Sequence, residues 1–326
     1  MLSEIKIAML GAQGTGKTSL LTSMYEQFAT TIGKTDLQFT PDLTTSAILA
    51  EKLGELKSLL GTPDVEPGGG IPGDETHREP FIFDLGNKGS KPSIRLRFQD
   101  FPGNYLNANA PQEKLKFVQE LIDESAIILI AIDAPSLMEA NGRWHDKINR
   151  PQQIRNFFEK AFQDMKAPRL VIFVPIKCEK YMKDPQSAKK LLNRVKEGYS
   201  LLFDLLAHDD IRRWVATVVT PIQTIGTVSL SYIEEINNYP HFHFKRISPD
   251  AEYAPEDTDQ PLRYLLRFAL KLQKNKHQFH WGPFNFVRNW LGWDEHLKEA
   301  SQIAAEGCKT TNGFAVIRGD YWLNIK

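Results

Sequence analysis

The sequence predicts an α/β protein, a six-stranded, mixed and mostly parallel sheet flanked by helices in three layers, with a small C-terminal extension. Three observations predict it. Near the N-terminus a short apolar run, residues 5–10, breaks into the glycine-rich GAQGTGKT and resumes as a helix. Further on, PFIFDLG and SIRLRFQD flank the turn-rich NKGSKP as a β-hairpin, its second arm alternating Ile94, Leu96 and Phe98 against Arg95 and Arg97. Thereafter the continuous apolar runs AIILIAID, RLVIFVPIK and WVATVVTPI alternate with segments of helical periodicity. That is the pattern of buried parallel strands joined by right-handed crossovers, and the hairpin adds one antiparallel strand at the edge.

The helices follow from apolar spacing. Residues 19–29 place Leu20, Leu21, Met24 and Phe28 on one face. Residues 44–60 form a second helix, capped by Asp42. The chain then dissolves into TPDVEPGGGIPGDETHREP, too rich in Gly and Pro to pack regularly, so residues 30–80 form a long insertion of the functional or disordered kind. Helices are expected over 111–123, 151–165 and 185–207, with a polar loop at 135–150. In 226–259 the alternation fails and VSLSYIEEI with HFHFKRI reads as a hairpin excursion. A helix at 261–274 closes a domain spanning 1–275. The remainder, 276–326, is an aromatic-rich extension with a helix at 295–306 and FAVIRGDYWLNI as strand material.

Composition narrows the function classes. Among 326 residues, 41% are hydrophobic and 25% charged, as in ordinary soluble globular proteins. Lys+Arg and Asp+Glu both total 40, so net charge gives no case for nucleic acid or membrane binding. Cys178 and Cys308 are too few for a disulfide framework and lack close metal-ligand spacing, which suits a reducing cytoplasm. Glu4 and Lys6 interrupt the first apolar run, so no signal peptide is expected. The longest apolar run, residues 126–132, is far short of the roughly 20 residues of a spanning helix.

The strand, glycine-rich loop and helix around GAQGTGKT have the order of a phosphate-binding P-loop, which makes the expected architecture the three-layer P-loop NTPase fold. Gly11, Gly14 and Gly16 let successive N–H groups turn inward, and the helix beginning near Lys17 adds its positive end to the same concavity. Lys17 reaches the β- and γ-phosphates of a nucleotide, and the Thr18 hydroxyl is placed for a bridging Mg²⁺. With Gln13, Thr15 and Ser19 these residues make the expected nucleotide-binding loop. A second signal is RLRFQDFPGNY. Asp100 ends an apolar strand where a carboxylate binds Mg²⁺ directly or through water, and Gly103 leaves room for its N–H to approach a γ-phosphate.

In these motifs the chain resembles the Ras-like GTPases of the translation-factor-related class, over roughly residues 4–275, and within them the bacterial double-GTPase branch linked to biological-conflict loci. The resemblance implies a Mg²⁺-dependent GTP-binding switch with slow hydrolysis and a protein partner that senses its switch loops. It implies that Lys177 packs over the base and Glu179 accepts from guanine. The family motif Asn-Lys-x-Asp reads Ile176, Lys177, Cys178, Glu179 here, and Ile176 cannot make the polar contacts of the family Asn, which leaves ATP beside GTP as a ligand. The next strand ends at Thr220-Pro221, where the family places another base-contacting loop. The switch I threonine, a metal ligand, is assigned to Thr76, just before PFIFDL, with Thr40, Thr44 and Thr45 as alternatives. Asn104 stands where many relatives carry the glutamine that orients water, so Lys17, Gly103 and Asn104 form the expected catalytic set. Asn104 and Gln13, which replaces a common glycine, either slow hydrolysis or hand water positioning to another group. Arg78 is a candidate arginine in cis.

The competing classes are a P-loop ATPase and a nucleotide-binding scaffold with negligible turnover. His241 with His243, and His277 with His280, have spacings a zinc site could use, against an ordinary surface or packing role. The run WGPFNFVRNWLGW reads as packing on the domain body, with a membrane surface or a partner as alternatives.

Overall fold

The computed structural model describes residues 3–33, 35–61, 64–65, 79–107, 109–163, 165–275 and 295–325. In chain order, β1 (Ser3–Leu10) leads to α1 (Lys17–Ile32), β2 (Leu37–Pro41), α2 (Leu43–Ser58), the two-residue β3 (Asp64–Val65) and the hairpin β4 (Phe81–Asn87) and β5 (Ile94–Gln99). Next come α3 (Gln112–Glu124), β6 (Ile127–Asp133), α4 (Ala134–Met138), α5 (His145–Ile148), α6 (Pro151–Ala161) and β7 (Arg169–Ile176). Then follow α7 (Pro185–Gly198), α8 (Ser200–Ala207), the short α9 (Asp209–Arg212), β8 (Val215–Val219), β9 (Val228–Ile236), β10 (Tyr239–Arg246) and, towards the C-terminus, β11 (Ala315–Arg318). Between β10 and β11 lie α10 (Gln260–Lys274) and a further helix, Glu295–Glu306.

The central sheet has eight strands, in the order β11-β8-β7-β6-β1-β5-β4-β2, which corrects the expected six. The six expected strands are all present, but each edge carries one more. Five-residue β2 is too short and too close to turn-rich sequence to show a pattern. It exists because it pairs antiparallel with β4, Phe39 opposite Leu85. At the other edge β11 pairs antiparallel with β8. The hairpin strand β4 is therefore internal, not an edge.

Burial explains the layers. β6, β7 and β8 are buried on both faces, matching their unbroken apolar sequences. One face is covered by α1, α10 and the helix Glu295–Glu306, which share one core with Phe28, Phe39, Phe83 and Phe98. Within it Phe39 stacks on Phe83 at 4.6 Å, and Phe98 meets Phe83 edge-on at 5.6 Å. The other face is covered by α3, α6, α7 and α8 around Ile122, Ile154, Phe158, Val195 and Leu202.

Two local readings change. The expected polar loop at 135–150 contains α4 and α5 and buries Trp144, His145 and Asn149, and the side chains of His145 and Asn149 find partners distant in sequence. The helix expected over 185–207 breaks at the buried Tyr199 into α7 and α8. The stretch 226–259 does contain a hairpin: β9 and β10 join through Asn237 and Asn238, both at positive φ (52° and 59°), the turn geometry that matches strand twist. β3 adds a third strand to this small sheet.

Thr76, Arg78, His277, His280 and the aromatic run at 281–293 lie outside the described residues. Among the described residues, no helix is long and apolar enough to cross a membrane.

Candidate functional site

β1, β5, β6, β7 and β8 run parallel, so their C-terminal ends share one edge of the sheet. At this edge an open α/β sheet binds ligands. The loops that follow β1, β5 and β7, which carry the sequence motifs, all open there.

The first loop turns through Gly14 and Gly16 at φ 76° and 99°, a left-handed backbone that side chains disfavour, and delivers Lys17 as the first residue of α1. Thr15 is buried and its hydroxyl donates to Ala12 O at 2.9 Å, which closes the turn from inside. Gln13 and Gly14 lie at its exposed crest, and Thr18 and Ser19 are half-buried on the first turn of α1. Lys17 is only 8% exposed. Its ammonium donates to Gly11 O at 3.0 Å and lies 3.6 Å from Asp100 Oδ1. The lysine of the first motif and the carboxylate of the second therefore meet. A cation there balances a carboxylate now and would serve a phosphate equally.

The second loop packs directly on the first. A Cβ built on Gly103 would fall 1.9 Å from Gln13 N and 2.3 Å from Ala12 C, so only glycine allows this backbone-to-backbone approach. Asp100 Oδ1 accepts from Phe101 N at 2.8 Å, and Phe101 and Tyr105 anchor the turn in the core. Asn104 is half-buried, and its Oδ1 is buried without a hydrogen-bond partner among the described residues.

The third loop closes the group. Lys177, at φ 56°, donates from Nζ to Gly14 O at 2.8 Å and to Asp133 Oδ2 at 2.8 Å. A left-handed conformation at a non-glycine residue costs energy and persists where surroundings enforce it. Ile176 points the same way: its Cδ1 would be 3.1 Å from a Cβ on Gly16, so an apolar contact joins these loops.

A model of the Double-GTPase 2 family matches residues 5–209. The chain belongs to that family. Among solved structures, it is similar to Sup35 complexed with GDP, at 11% identity and TM-score 0.32 over 69% of this chain and 38% of that one. It is also similar to Era in complex with MgGDPNP and nucleotides 1506–1542 of 16S ribosomal RNA, at 15% identity and TM-score 0.32 over 83% of this chain and 68% of that one. The chain thus spans well under half of the Sup35 chain. No curated protein sequence matches it.

In this double-GTPase, Glu179 is 8% exposed, and Oε1 accepts from Ile225 N at 3.4 Å and Gly226 N at 3.3 Å, in the loop after β8. Burial raises its carboxyl to about 7, against the lowering effect of backbone N–H groups and Lys177. Between the ordinary carboxyl range and pH 7 the folded chain thus holds a proton that the unfolded chain releases. Stability from this group falls as pH rises through that window. Glu179→Gln is expected to remove that slope, a relative gain on the order of 3 kcal/mol above neutrality. Urea unfolding at about pH 5 and about pH 8 measures it.

The threonine alternatives separate. Thr45 is buried, and its hydroxyl accepts from Ile82 N at 2.9 Å while its own N–H caps onto Asp42, so it ties α2 to β4. Thr40 is exposed on β2, and Thr44 is exposed at the start of α2. Among the described residues, no group of three or more His, Cys, Asp or Glu could hold a metal. His243 instead stacks on Tyr232 at 4.2 Å and faces Glu234 Oε2 at 3.2 Å. A magnesium ion shared with a nucleotide needs no such cluster; Thr18 and Asp100 carry oxygens of the kind it takes, beside the glycine-lined cradle.

Sequence reasoning missed Asp133. It ends an apolar strand like many other aspartates, and only the ion pair with Lys177 marks it.

Proposed function

We propose that this chain is a magnesium-dependent switch that binds and slowly hydrolyses GTP. One observation supports the reading above all: the Lys177 ammonium bonded to Gly14 O makes the phosphate loop and the base loop a single site. Backbone N–H groups of residues 14–17 and the Lys17 ammonium hold the β- and γ-phosphates. Thr18 and Asp100, together with Thr76 as assigned from the sequence, would hold magnesium through their oxygens. Magnesium, when bound, neutralises charge on the phosphoryl group. Gly103 directs its N–H at the terminal phosphate, while Asn104 uses its buried, unpartnered Oδ1 to accept from the attacking water. Its side chain is one methylene shorter than glutamine, which favours slow turnover.

At the other end, the Lys177 stem lies along the base and Glu179 accepts from guanine N1–H and N2–H. Adenine offers no such pair of donors, so guanine is preferred even with Ile176 in place of the family Asn. Because burial raises Glu179 to about 7, GDP affinity is expected to fall about tenfold from pH 8 to pH 6, and Glu179→Gln to weaken binding and flatten that dependence. Fluorescent-GDP titrations across this range check both. After hydrolysis the DFPG turn loses its phosphate contact, and a protein partner reads the difference.

Single-turnover phosphate release tests the enzymatic half. The expected result is magnesium-dependent release on the order of 10⁻⁴ to 10⁻² per second. Nucleotide retention without any such release would make the chain a binding scaffold.

A further inference from the structure

We propose that Asp133 is a positioning residue for the nucleotide: its buried carboxylate holds the Lys177 ammonium on the Gly14 carbonyl and so fixes the lysine stem beside the base. This rests on the guanine-nucleotide reading of Lys177.

The geometry around Asp133 is over-determined. The residue ends β6 and is 1% exposed. Ser136 donates to its Oδ1 from both N (2.9 Å) and Oγ (2.5 Å), which rotates the carboxylate and leaves Oδ2 facing Lys177 Nζ at 2.8 Å. The backbone is clamped as firmly. Asn149 Oδ1 accepts from Asp133 N at 2.8 Å, and Asn149 Nδ2 donates to Asp133 O at 3.1 Å. Asn149 in turn lies 3.1 Å from His145 Nδ1, and His145 Nε2 lies 3.1 Å from Gly198 O. Burial holds the His145 imidazole below its ordinary range, so it is neutral and one ring nitrogen accepts from Asn149 while the other donates to Gly198 O.

A chain of buried polar groups therefore runs from α7 through α5 and β6 to one oxygen aimed at one ammonium. A carboxylate this buried is costly unless it is paired. A long lysine side chain, in turn, loses much freedom when a ligand must order it, and a preset geometry removes that cost from binding. Lys177 meets both needs: it neutralises Asp133 and it stands ready against the P-loop. Ile176, packed beside Gly16, adds only an apolar contact between the two loops, so the Lys177 bond to Gly14 O, held in place by Asp133, carries their polar attachment.

The test is a double-mutant cycle on the full chain, read as release of N-methylanthraniloyl-GDP into excess unlabelled GDP. Asp133→Asn, which keeps the shape and one acceptor, is expected to speed release about tenfold with little change in association. In a Lys177→Met background the same substitution is expected to change release less than twofold, because Asp133 acts through the lysine. Ser136→Ala, which keeps the charge but frees the carboxylate to rotate, is expected to speed release about threefold. It serves as the readout if Asp133→Asn does not fold. A purely structural role for Asp133 predicts lowered thermal stability with effects that multiply in the double variant, and that result would overturn the proposal. So would release from both single variants within twofold of wild type. Failure of wild type to retain the fluorescent GDP would overturn the nucleotide reading itself, and this inference with it.

Discussion

Gly103→Ala is expected to slow single-turnover GTP hydrolysis about 100-fold while leaving GDP affinity within about threefold of wild type. The reason is local. The added methyl carbon would fall 1.9 Å from Gln13 N, 2.3 Å from Ala12 C and 2.6 Å from Gln13 Cα, all of them backbone atoms that no rotamer can move aside. Either the DFPG turn lifts from the P-loop or the P-loop deforms. The turn is the softer element, being a single helical turn over Gly103–Leu106, whereas the P-loop is pinned by Thr15, Lys17 and Lys177. Overpacking of this kind costs about 1–3 kcal/mol in stability. Displacing catalytic groups by about 1 Å costs about 10² in rate. GDP lacks the group that this turn would sense, so its binding is spared. Parallel measurement of phosphate release and GDP affinity checks the split. Equal loss of both would mean that the substitution damages the P-loop instead.

Lys17→Ala is expected to weaken GDP and GTP binding about 1,000-fold or more, the largest effect of any single side chain. The ammonium is almost fully buried, and it shares its charge between Gly11 O and Asp100. Removing it deletes charge-assisted bonds worth about 1.5–3 kcal/mol each and leaves the Asp100 carboxylate facing incoming phosphates with no cation between them. Lys17→Arg is not expected to rescue. A planar guanidinium is larger than the ammonium, and the space beside Gly11 and Asp100 fits a point charge. Calorimetric titration with GDP and magnesium reads the loss, and circular dichroism shows whether the variant is folded.

The parts of this site that were legible in the sequence are those whose chemistry is short-range. The P-loop needs its glycines, lysine and threonine within eight residues, and the DFPG turn needs a strand on one side and no side chain at Gly103. The alternation of apolar runs fixed the parallel core for the same reason: each strand is buried on both faces, so its composition reports its place. The edges were only partly legible. FAVIRGDYWLNI reads as strand material and contains β11, but nothing in it names β8 as its partner, whereas β2 has no pattern of its own and is a strand because β4 offers a free hydrogen-bonding edge. The same holds for Asp133, Asn149 and His145. Each looks like an ordinary loop polar residue, and each is buried by partners distant in sequence. The threonine alternatives were separable only through the hydroxyl of Thr45, whose bond to Ile82 N crosses 37 residues.

One site between the loops after β1, β5 and β7 is predicted to take guanine nucleotide. Competition for bound N-methylanthraniloyl-GDP in magnesium buffer tests it most directly. GTP and GDP are predicted to displace the probe with one site per chain and ATP to require at least about 100-fold higher concentration, because adenine lacks the paired N–H donors that guanine presents to Glu179. Displacement by ATP as effective as by GTP, or no retention of the probe by the wild-type chain, would contradict it.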